Sequence, residues 1–261
     1  MFTGIVEAVG TLKALKKHGH GYEILVETPD SFKLKERVKL GDSIANNGVC
    51  LTVTAMSGNA FYADVSSETV KCTCFGSYSS GNKINLELAC TPSTHLGGHV
   101  VQGHVDGIGT VISKHSLDEA YDIWIKAPNE LLRYIAPKGS IAVDGVSLTV
   151  NEIKGDCFRL TLIPHTQSNV NFENFNEGNK VNLECDVLAR YLERLFTAGA
   201  SSINAGTQSL AKDGAMKGHT TNSKQNNLSN SKSYKSSAIT MSALLMNGFK
   251  SFWRTYVYQS N

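Results

Sequence analysis

Two stretches decide the fold: SIANNGVCLTV at residues 43–53 and SIAVDGVSLTV at residues 140–150. They match at most positions without a gap, and one of their differences replaces Cys50 by Ser147. A long self-match within one chain indicates an internal repeat. The chain therefore carries the same segment twice, with a different reactive side chain in each copy.

The repeat extends well beyond these stretches. FTGIVEAVGTL from Phe2 matches VQGHVDGIGTV from Val101, and GNKINLELA matches GNKVNLECD further along each copy. The matches occur in the same order with one two-residue gap, so they predict two homologous domains at residues 1–97 and 98–185.

Each repeat is rich in short β-type segments. They contain many Val, Ile, Thr and aromatic residues and are separated by Gly- and Asn-containing turn signals. Polar and apolar positions alternate in GNKINLELA, as in a half-buried strand. We therefore predict an all-β fold with two homologous small antiparallel β-barrels in tandem, since closing a sheet removes its edges.

The segment after the second repeat predicts a helix at residues 186–197, with Asp186 as its N-cap. Such a helix would bury its apolar stripe on its own barrel or against copies of itself, and the pattern slightly favours the barrel. The remaining residues 198–261 are rich in Ser, Asn, Gly and Lys, which predicts a disordered tail. The more apolar end of this tail could instead form a weak amphipathic helix. The apolar stripe of the predicted helix at residues 186–197 consists of Val187, Leu188, Tyr191, Leu192, Leu195 and Phe196.

Composition, charge and the lengths of the apolar runs argue against several classes of function. The 261 residues carry a net charge of +2 with scattered basic side chains, which argues against nucleic-acid binding. No apolar run is long enough to span a bilayer, and MFTGIVEAVG does not resemble a signal peptide. The six cysteines include no C-x-x-C pair. These features predict a cytoplasmic protein with reduced thiols.

Three histidines lie in HLGGHVVQGHVDG, at His95, His99 and His104. A metal site is disfavoured because two glycines would break a helix that aligned the first two. His99 could be a hydrogen-bonded histidine at the domain boundary. His104 replaces Ile5 of the first repeat, so a group that titrates near neutral pH stands where the other copy is apolar.

Four segments could face a ligand. In CLT at 50–52 and SLT at 147–149, strand alternation places the outer two side chains on one face and Leu on the other. This pattern suits a polar pocket, although ordinary hydrogen bonds to the backbone would explain it too. DVSSET at 64–69 and TLIPHT at 161–166 follow β segments and could line a heteroaromatic ring or simply end a strand.

Together, MFTGIV, NGVCLTV, GGHVVQGHVDG, DGVSLTV and LIPHT on a tandem repeat resemble the riboflavin synthase family, α-chain type, over residues 1–196. The resemblance implies conversion of two molecules of 6,7-dimethyl-8-ribityllumazine into riboflavin and 5-amino-6-ribitylaminouracil, without cofactor or metal. It also implies a homotrimer whose site lies between the N-terminal barrel of one subunit and the C-terminal barrel of the next. The C-terminal helix would make the trimer contact. Association with lumazine synthase stays open.

The resemblance also implies the substrate-binding residues. Those grouped with the first repeat are Gly4, Ile5, Val6, Cys50, Leu51, Thr52, Asp64, Val65, Ser66, Ser67, Glu68 and Thr69. Those grouped with the second repeat are Gly103, His104, Val105, Ser147, Leu148, Thr149, Thr161, Leu162, Ile163, Pro164, His165 and Thr166. Lys138 would reach the ligand from the partner side.

Four of these positions, and Asp186 in addition, suggest catalytic roles. His104 is the candidate proton shuttle, and Ser147 with Thr149 would polarise or hydrate one lumazine ring. Cys50 would act as a weak nucleophile, or it would only contribute to the shape of the pocket. Asp186 would be a carboxylate near the site, an N-cap, or both.

Two rival functions carry different expectations. A non-catalytic lumazine- or flavin-binding protein of the same fold would lose polar site residues, whereas this chain keeps Cys50, His104, Ser147, Thr149 and Lys138. A metal-dependent hydrolase would use the histidine cluster. An enzyme is favoured, and its asymmetric reaction should be reflected where the copies differ: Ile5 against His104, Asn47 against Asp144, and Cys50 against Ser147.

Overall fold

The computed structural model describes residues 1–198. The first repeat forms a closed antiparallel barrel with strand order β1-β2-β5-β4-β3-β6. Its strands are β1 (Ala8–His18), β2 (Gly21–Glu27), β3 (Ser43–Asn46), β4 (Val49–Ser57), β5 (Ala60–Val65) and β6 (Lys83–Leu88).

The second repeat has the same strand order but does not close within the described residues. The strand equivalent to β4 is divided into two pieces at residues 150–151, near the position where β4 has a bulge between Val53 and Ala55. The prediction of tandem barrels is confirmed, with the second one open at this break. Its strands are β7 (Gly107–Leu117), β8 (Ala120–Lys126), β9 (Ser140–Val143), β10 (Val146–Thr149), β11 (Glu152–Lys154), β12 (Cys157–Leu162) and β13 (Lys180–Cys185).

Short helices connect some of the strands. These are α1 (Leu34–Arg37), α2 (Ser67–Cys72) and α3 (Pro164–Asn169), with 3-10 turns at Asp30–Phe32, Cys74–Ser77, Leu132–Tyr134 and Phe172–Phe175. A last helix, α4, covers residues 187–198.

Each repeat has its own apolar core, and the two repeats meet through a third, smaller cluster. This cluster contains Phe2, Ala45, Val101 and Ala142. Phe2 and Val101 form an antiparallel bridge in which each N–H donates to the other's carbonyl, at 2.6 and 3.1 Å. The segments that open the two repeats therefore run past each other between the sheets. We call residues 2–6 the first strap and residues 101–105 the second strap.

The straps are exchanged between the repeats. Val6 of the first strap is buried in the core of the second repeat. Val105 of the second strap packs against the core of the first. Each barrel is thus completed by a segment from the other copy, which joins the two repeats more firmly than a linker would.

The hairpin turns of β3-β4 and β9-β10 also meet at the centre. Asn47 and Asp144 adopt left-handed φ angles of 46° and 47°, each followed by a glycine with a φ of 79°. A Cβ on Gly48 would lie only 2.7 Å from the N atom of Gly145, so neither turn can carry a side chain at this point. The repeated NG/DG signal is therefore required both by the turns and by their mutual approach.

Helix α4 attaches to the second repeat through its polar side. Arg190 binds Asp106, and Glu193 accepts hydrogen bonds from Arg133 and Tyr134. The expectation that the apolar stripe docks on its own barrel is wrong, because these contacts turn the stripe outward. Leu188, Tyr191, Leu192, Leu195 and Phe196 are all exposed.

The described helix extends one residue beyond its predicted end. The rest of the predicted tail, including its apolar end, lies outside the described residues. Among residues 1–198, no helix is both long and apolar enough to cross a bilayer.

Candidate active site

The outer faces of the two sheets carry equivalent rows of small polar side chains. In the first repeat, β-pairing places Cys50 opposite Ala45, which pairs in turn with Glu87. One step along, Thr52 lies opposite Ser43. Alternation along β4 holds as predicted, since the Leu51 side chain is buried in the core.

The second repeat reproduces this arrangement. Ser147 lies opposite Ala142, which pairs with Glu184, and Thr149 lies opposite Ser140. Leu148 is buried in the second core. Cys50 and Ser147 therefore occupy the same place on two equivalent surfaces.

The straps cover these rows in the opposite combination to the one expected from the sequence. The Gly4 carbonyl accepts the Ser147 N–H at 2.8 Å, and the Gly103 carbonyl accepts the Cys50 N–H at 2.9 Å. The sequence-based grouping of the first strap with Cys50 and of the second with Ser147 is therefore wrong. The exchange follows from the antiparallel bridge, which carries each strap past its own repeat and onto the other one.

Ser147 has a basic partner that sequence reasoning did not assign to it. The Nδ1 atom of His99 lies 2.7 Å from Ser147 Oγ. His99 is buried, and burial lowers its pKa, although the carboxylate of Asp186 acts in the opposite direction. A neutral imidazole is thus available to accept the hydroxyl proton of Ser147.

Cys50 has no such partner among residues 1–198. His99, which lies just before the second strap, binds Ser147, and none of the described histidines makes the matching contact with Cys50. All six cysteines are free thiols, and Cys50 is half-buried against the cluster between the repeats. The two rows therefore share a shape and differ in chemistry.

His104 is exposed at the end of the second strap. Its main-chain N–H donates to Glu184 at 3.0 Å, and it lines a small cleft of about 240 Å³ with Asp106 and Arg190. Its side chain is thus accessible at the mouth of this cleft, and its role as a proton shuttle stays a prediction. The structure separates it from His95, which lines a different cleft, and from His99.

The cleft at the equivalent place in the first repeat is larger, with a volume of about 880 Å³. Ile5, Ser43, Glu87 and His95 are among its lining residues. An arginine lines each cleft, Arg37 in the first repeat and Arg190 of α4 in the second. The two surfaces consequently differ in room as well as in chemistry.

The remaining predicted segments lie at equivalent strand ends. Residues 64–69 run from β5 into α2, and residues 161–166 run from β12 into α3. The side chains of Val65 and Leu162 point into the cores, so these residues can offer only backbone groups. Asp64, Ser66, Glu68, Ile163, Pro164 and His165 are exposed, while Ser67, Thr69 and Thr166 are half-buried.

Thr161 is committed to a polar network. Its hydroxyl donates to Asp122 at 2.6 Å and accepts from Asn151, also at 2.6 Å. Arg159 binds the same Asp122 carboxylate. The hydroxyl therefore anchors the end of β12, and any ligand contact here would come from the backbone.

Lys138 is exposed and adopts a left-handed φ of 68°, whereas the equivalent Gly41 has a φ of 90°. The left-handed conformation belongs to the turn before β9, where the Lys138 N–H donates to the Val150 carbonyl at 2.7 Å. The ligand contact expected of Lys138 stays a prediction.

Asp186 caps α4, since its carboxylate accepts the Leu188 N–H at 3.0 Å. It also acts electrostatically on His99, so both sequence-based interpretations of this residue have support.

Asn47 and Asp144, another pair of positions at which the two copies differ, do not belong to the candidate site. Both are fully buried in the central turns and away from the clefts, so their difference is structural.

Sequence reasoning missed Glu87 and Glu184. Both are only 4% exposed, and burial raises their pKa, that of Glu184 to about 7. The available signal was a glutamate in the apolar strand NLEL and again in its copy NLEC. Each carboxylate accepts main-chain N–H groups from one of the straps.

Within residues 1–198, no group of three or more His, Cys, Asp or Glu side chains is arranged to hold a metal ion. The histidine cluster suggested by spacing is dispersed by the fold. His99 binds Ser147, while His95 and His104 line separate clefts.

Comparison with known proteins agrees with this architecture. The model of the lumazine binding domain matches residues 3–89 and 102–186. Solved structures of LumP in complex with 6,7-dimethyl-8-(1'-D-ribityl) lumazine and with riboflavin superpose with TM-scores of 0.64 and 0.66. Both are 28% identical and cover 71% of this chain and 99% of theirs. The fold and the paired rows thus define a tandem lumazine-binding protein.

Curated relatives narrow the assignment. A riboflavin synthase from Photobacterium phosphoreum is 49% identical over 196 residues, which cover 75% of this chain and 89% of the relative. The riboflavin synthase from Bacillus subtilis is 43% identical, with 75% and 90% covered. The chain belongs to the riboflavin synthase family.

Proposed function

We infer that the protein is a riboflavin synthase. Two molecules of 6,7-dimethyl-8-ribityllumazine react, and one gives a four-carbon unit to the other, which yields riboflavin and 5-amino-6-ribitylaminouracil. The two substrate molecules supply every atom of both products, so the reaction balances without an external oxidant or carbon donor. This is the chemistry of a transferase acting on two copies of one substrate.

One observation carries the proposal: the chain has two equivalent surfaces with unequal reactive groups. Cys50 and Ser147 lie at matching positions, and among residues 1–198 a histidine hydrogen-bonds to Ser147 but not to Cys50. LumP matches 71% of this chain, which is more than one repeat, so it is the unequal reactive groups that favour an enzyme over a binding protein. An enzyme that makes one copy a donor and the other an acceptor needs two surfaces of similar shape and different chemistry.

The described geometry supports different roles for His99 and His104. His99, kept neutral by burial, would accept a proton from Ser147 or from a water beside it, which could then add to the electrophilic ring carbon of one lumazine. His104 would move the proton of the acidic methyl group at position 7 of the other lumazine. Holding two rings face to face would supply much of the rate.

We further propose a homotrimer in which the first repeat of one subunit faces the second repeat of the next. The exposed stripe on α4 supports this, because such a surface is costly in water and its polar side is already used on its own barrel. A cytoplasmic location and an association with lumazine synthase are further parts of this proposal.

The test is direct. Full-length protein is incubated with 6,7-dimethyl-8-ribityllumazine, and riboflavin is measured by absorbance and fluorescence. We expect one riboflavin for every two lumazines consumed. Tight binding with a spectral shift and no turnover would instead support a lumazine-binding protein like LumP and overturn the assignment.

A further inference from the structure

We propose that Glu87 and Glu184 are positioning residues that act across the boundary between the repeats. Glu184, in the second repeat, holds the second strap against the strand of Cys50. Glu87, in the first repeat, holds the first strap against the strand of Ser147. Only the kinetic part of this inference rests on the proposed function.

Glu184 binds three consecutive main-chain N–H groups of the second strap. Gln102 donates to Oε1 at 2.6 Å, while Gly103 and His104 donate to Oε2 at 2.9 and 3.0 Å. Both carboxylate oxygens are used, and the last donor belongs to the candidate proton shuttle. The backbone that carries His104 is therefore fixed by one buried carboxylate.

Glu87 makes the matching set of contacts with the first strap. It accepts from the Thr3 N–H and hydroxyl at 2.6 and 2.7 Å, and from the Gly4 N–H at 3.0 Å. The Thr3 hydroxyl in turn accepts the Ile5 N–H at 3.1 Å. In the second strap the His104 N–H donates directly to Glu184, whereas in the first strap the Ile5 N–H is linked to Glu87 through the Thr3 hydroxyl.

The straps contact the strands of Cys50 and Ser147 closely, so the position of each strap fixes the position of a reactive residue. The Gly4 and Gly103 carbonyls accept the Ser147 and Cys50 N–H groups. A Cβ on Gly4 would lie 2.6 Å from the Ser147 Cβ, and one on Gly103 would lie 2.5 Å from the Cys50 Cβ. Backbone touches side chain at both places, so a shift of either strap displaces the reactive residue.

The burial of the two carboxylates argues against a role as ordinary surface braces. Removing a carboxylate from water is costly unless several donors replace the lost hydration. The groups that face Glu184 across its small cleft are His104, Asp106, Cys185 and Arg190. The three backbone donors favour the charged form of Glu184 and offset part of this cost, whereas burial and the nearby Asp106 carboxylate act in the opposite direction.

The inference predicts a crossed effect of two matched substitutions in the full chain, Glu184→Gln and Glu87→Gln. Hydrogen exchange of the Cys50 and Ser147 amides is the readout, because each amide donates directly to a strap carbonyl. Glu184→Gln should speed exchange at Cys50 about tenfold and leave Ser147 unchanged, and Glu87→Gln should do the reverse. Tenfold corresponds to about the value of one charge-assisted hydrogen bond.

Faster exchange at the amide of the substituted repeat, Ser147 for Glu184→Gln or Cys50 for Glu87→Gln, would show local loosening and would overturn the proposal. Equally faster exchange at both amides would show global loosening and would overturn it too. Glu184→Asp keeps the charge and shortens the side chain, so it provides a second variant if Gln prevents folding. We expect it to affect Cys50 exchange less than Gln does.

The kinetic arm separates positioning from simple stability. Glu184→Gln should lower kcat by about tenfold to a hundredfold while KM changes much less, because a small displacement of His104 affects the chemical step more than binding. A parallel fall in melting temperature with normal kcat would contradict it. If the lumazine is not turned over at all, the exchange experiment still decides the crossed positioning.

Discussion

At the residue scale, Cys50 and Ser147 show how one strand position acquires two chemistries. Strand alternation in the sequence was enough to predict that both face away from the cores. The partner of Ser147 could not be predicted, because His99 lies 48 positions away and outside the strand that carries Ser147. Proximity here is created by the crossing of the straps.

His99 is consequently the residue whose loss should most clearly distinguish the two surfaces. Replacing it with Gln leaves a polar side chain but removes the base, so we expect kcat to fall by about a hundredfold, in the range of one acid–base group. His20→Gln, in the exposed turn between β1 and β2, is the matched control. Equal activity of both variants would exclude His99 from the chemistry.

The pH dependence of turnover should carry the signature of the same residue. Burial lowers the pKa of His99, so its ring stays neutral further into the acid range than an exposed imidazole, whose pKa is about 6.5. We therefore expect the acid limb of kcat that belongs to His99 to lie below pH 6.5. That limb should be absent from any residual activity of His99→Gln, and a limb unchanged by the substitution would assign it to another group.

At the element scale, the straps mark the limit of what the sequence could predict. The repeat, the strands and the C-terminal helix follow from pattern and spacing. Which barrel each strap completes does not, because residues 2–6 and 101–105 are copies of one another and fit either partner by composition. The buried glutamates were hidden for a related reason: alternation places Glu87 and Glu184 on outer faces, and they are buried there because the path of the straps brings the first strap onto Glu87 and the second onto Glu184.

The central hairpin turns offer a stability prediction. Asp144 is fully buried, and burial raises its pKa from 3.8 to about 7. Between these values the folded protein binds a proton that the unfolded chain has released, so this group lowers stability as pH rises toward 7. A pKa difference of one between the folded and unfolded chains corresponds to about 1.4 kcal/mol, so the free energy of unfolding falls by several kcal/mol over this range.

Asp144→Asn should therefore flatten the dependence of stability on pH between about 4 and 7, measured by denaturant unfolding. Asn already occupies the equivalent turn at Asn47, where it accepts the Asn85 N–H at 2.7 Å and donates to Tyr78. Asp144 instead accepts from the Asn174 side chain, so the amide loses that bond at a cost of about 1 kcal/mol. An unchanged slope would show that Asp144 stays ionised throughout this range.

At the scale of the whole molecule, the catalytic unit should be separable from the rest of the chain. The relatives match about three quarters of it, and the contacts that position the straps lie within residues 1–198. We expect truncation after Ala198 to leave kcat/KM within about twofold of the full-length value, since these contacts are retained. A large loss of activity with normal folding would assign the remaining residues a part in the reaction.

The apolar stripe of α4 tests how the subunits are arranged. Leu192 is exposed although it lies at the centre of the stripe, so in the proposed trimer Leu192→Glu would bury a charge among apolar side chains. We expect this variant to be monomeric by light scattering and to lose at least tenfold in kcat, because each site would lack its second surface. Leu117→Glu, equally exposed but in the hairpin between β7 and β8, should remain trimeric and active. A monomeric Leu192→Glu with full activity would show that one chain holds both lumazines, and the site would then lie between its own repeats.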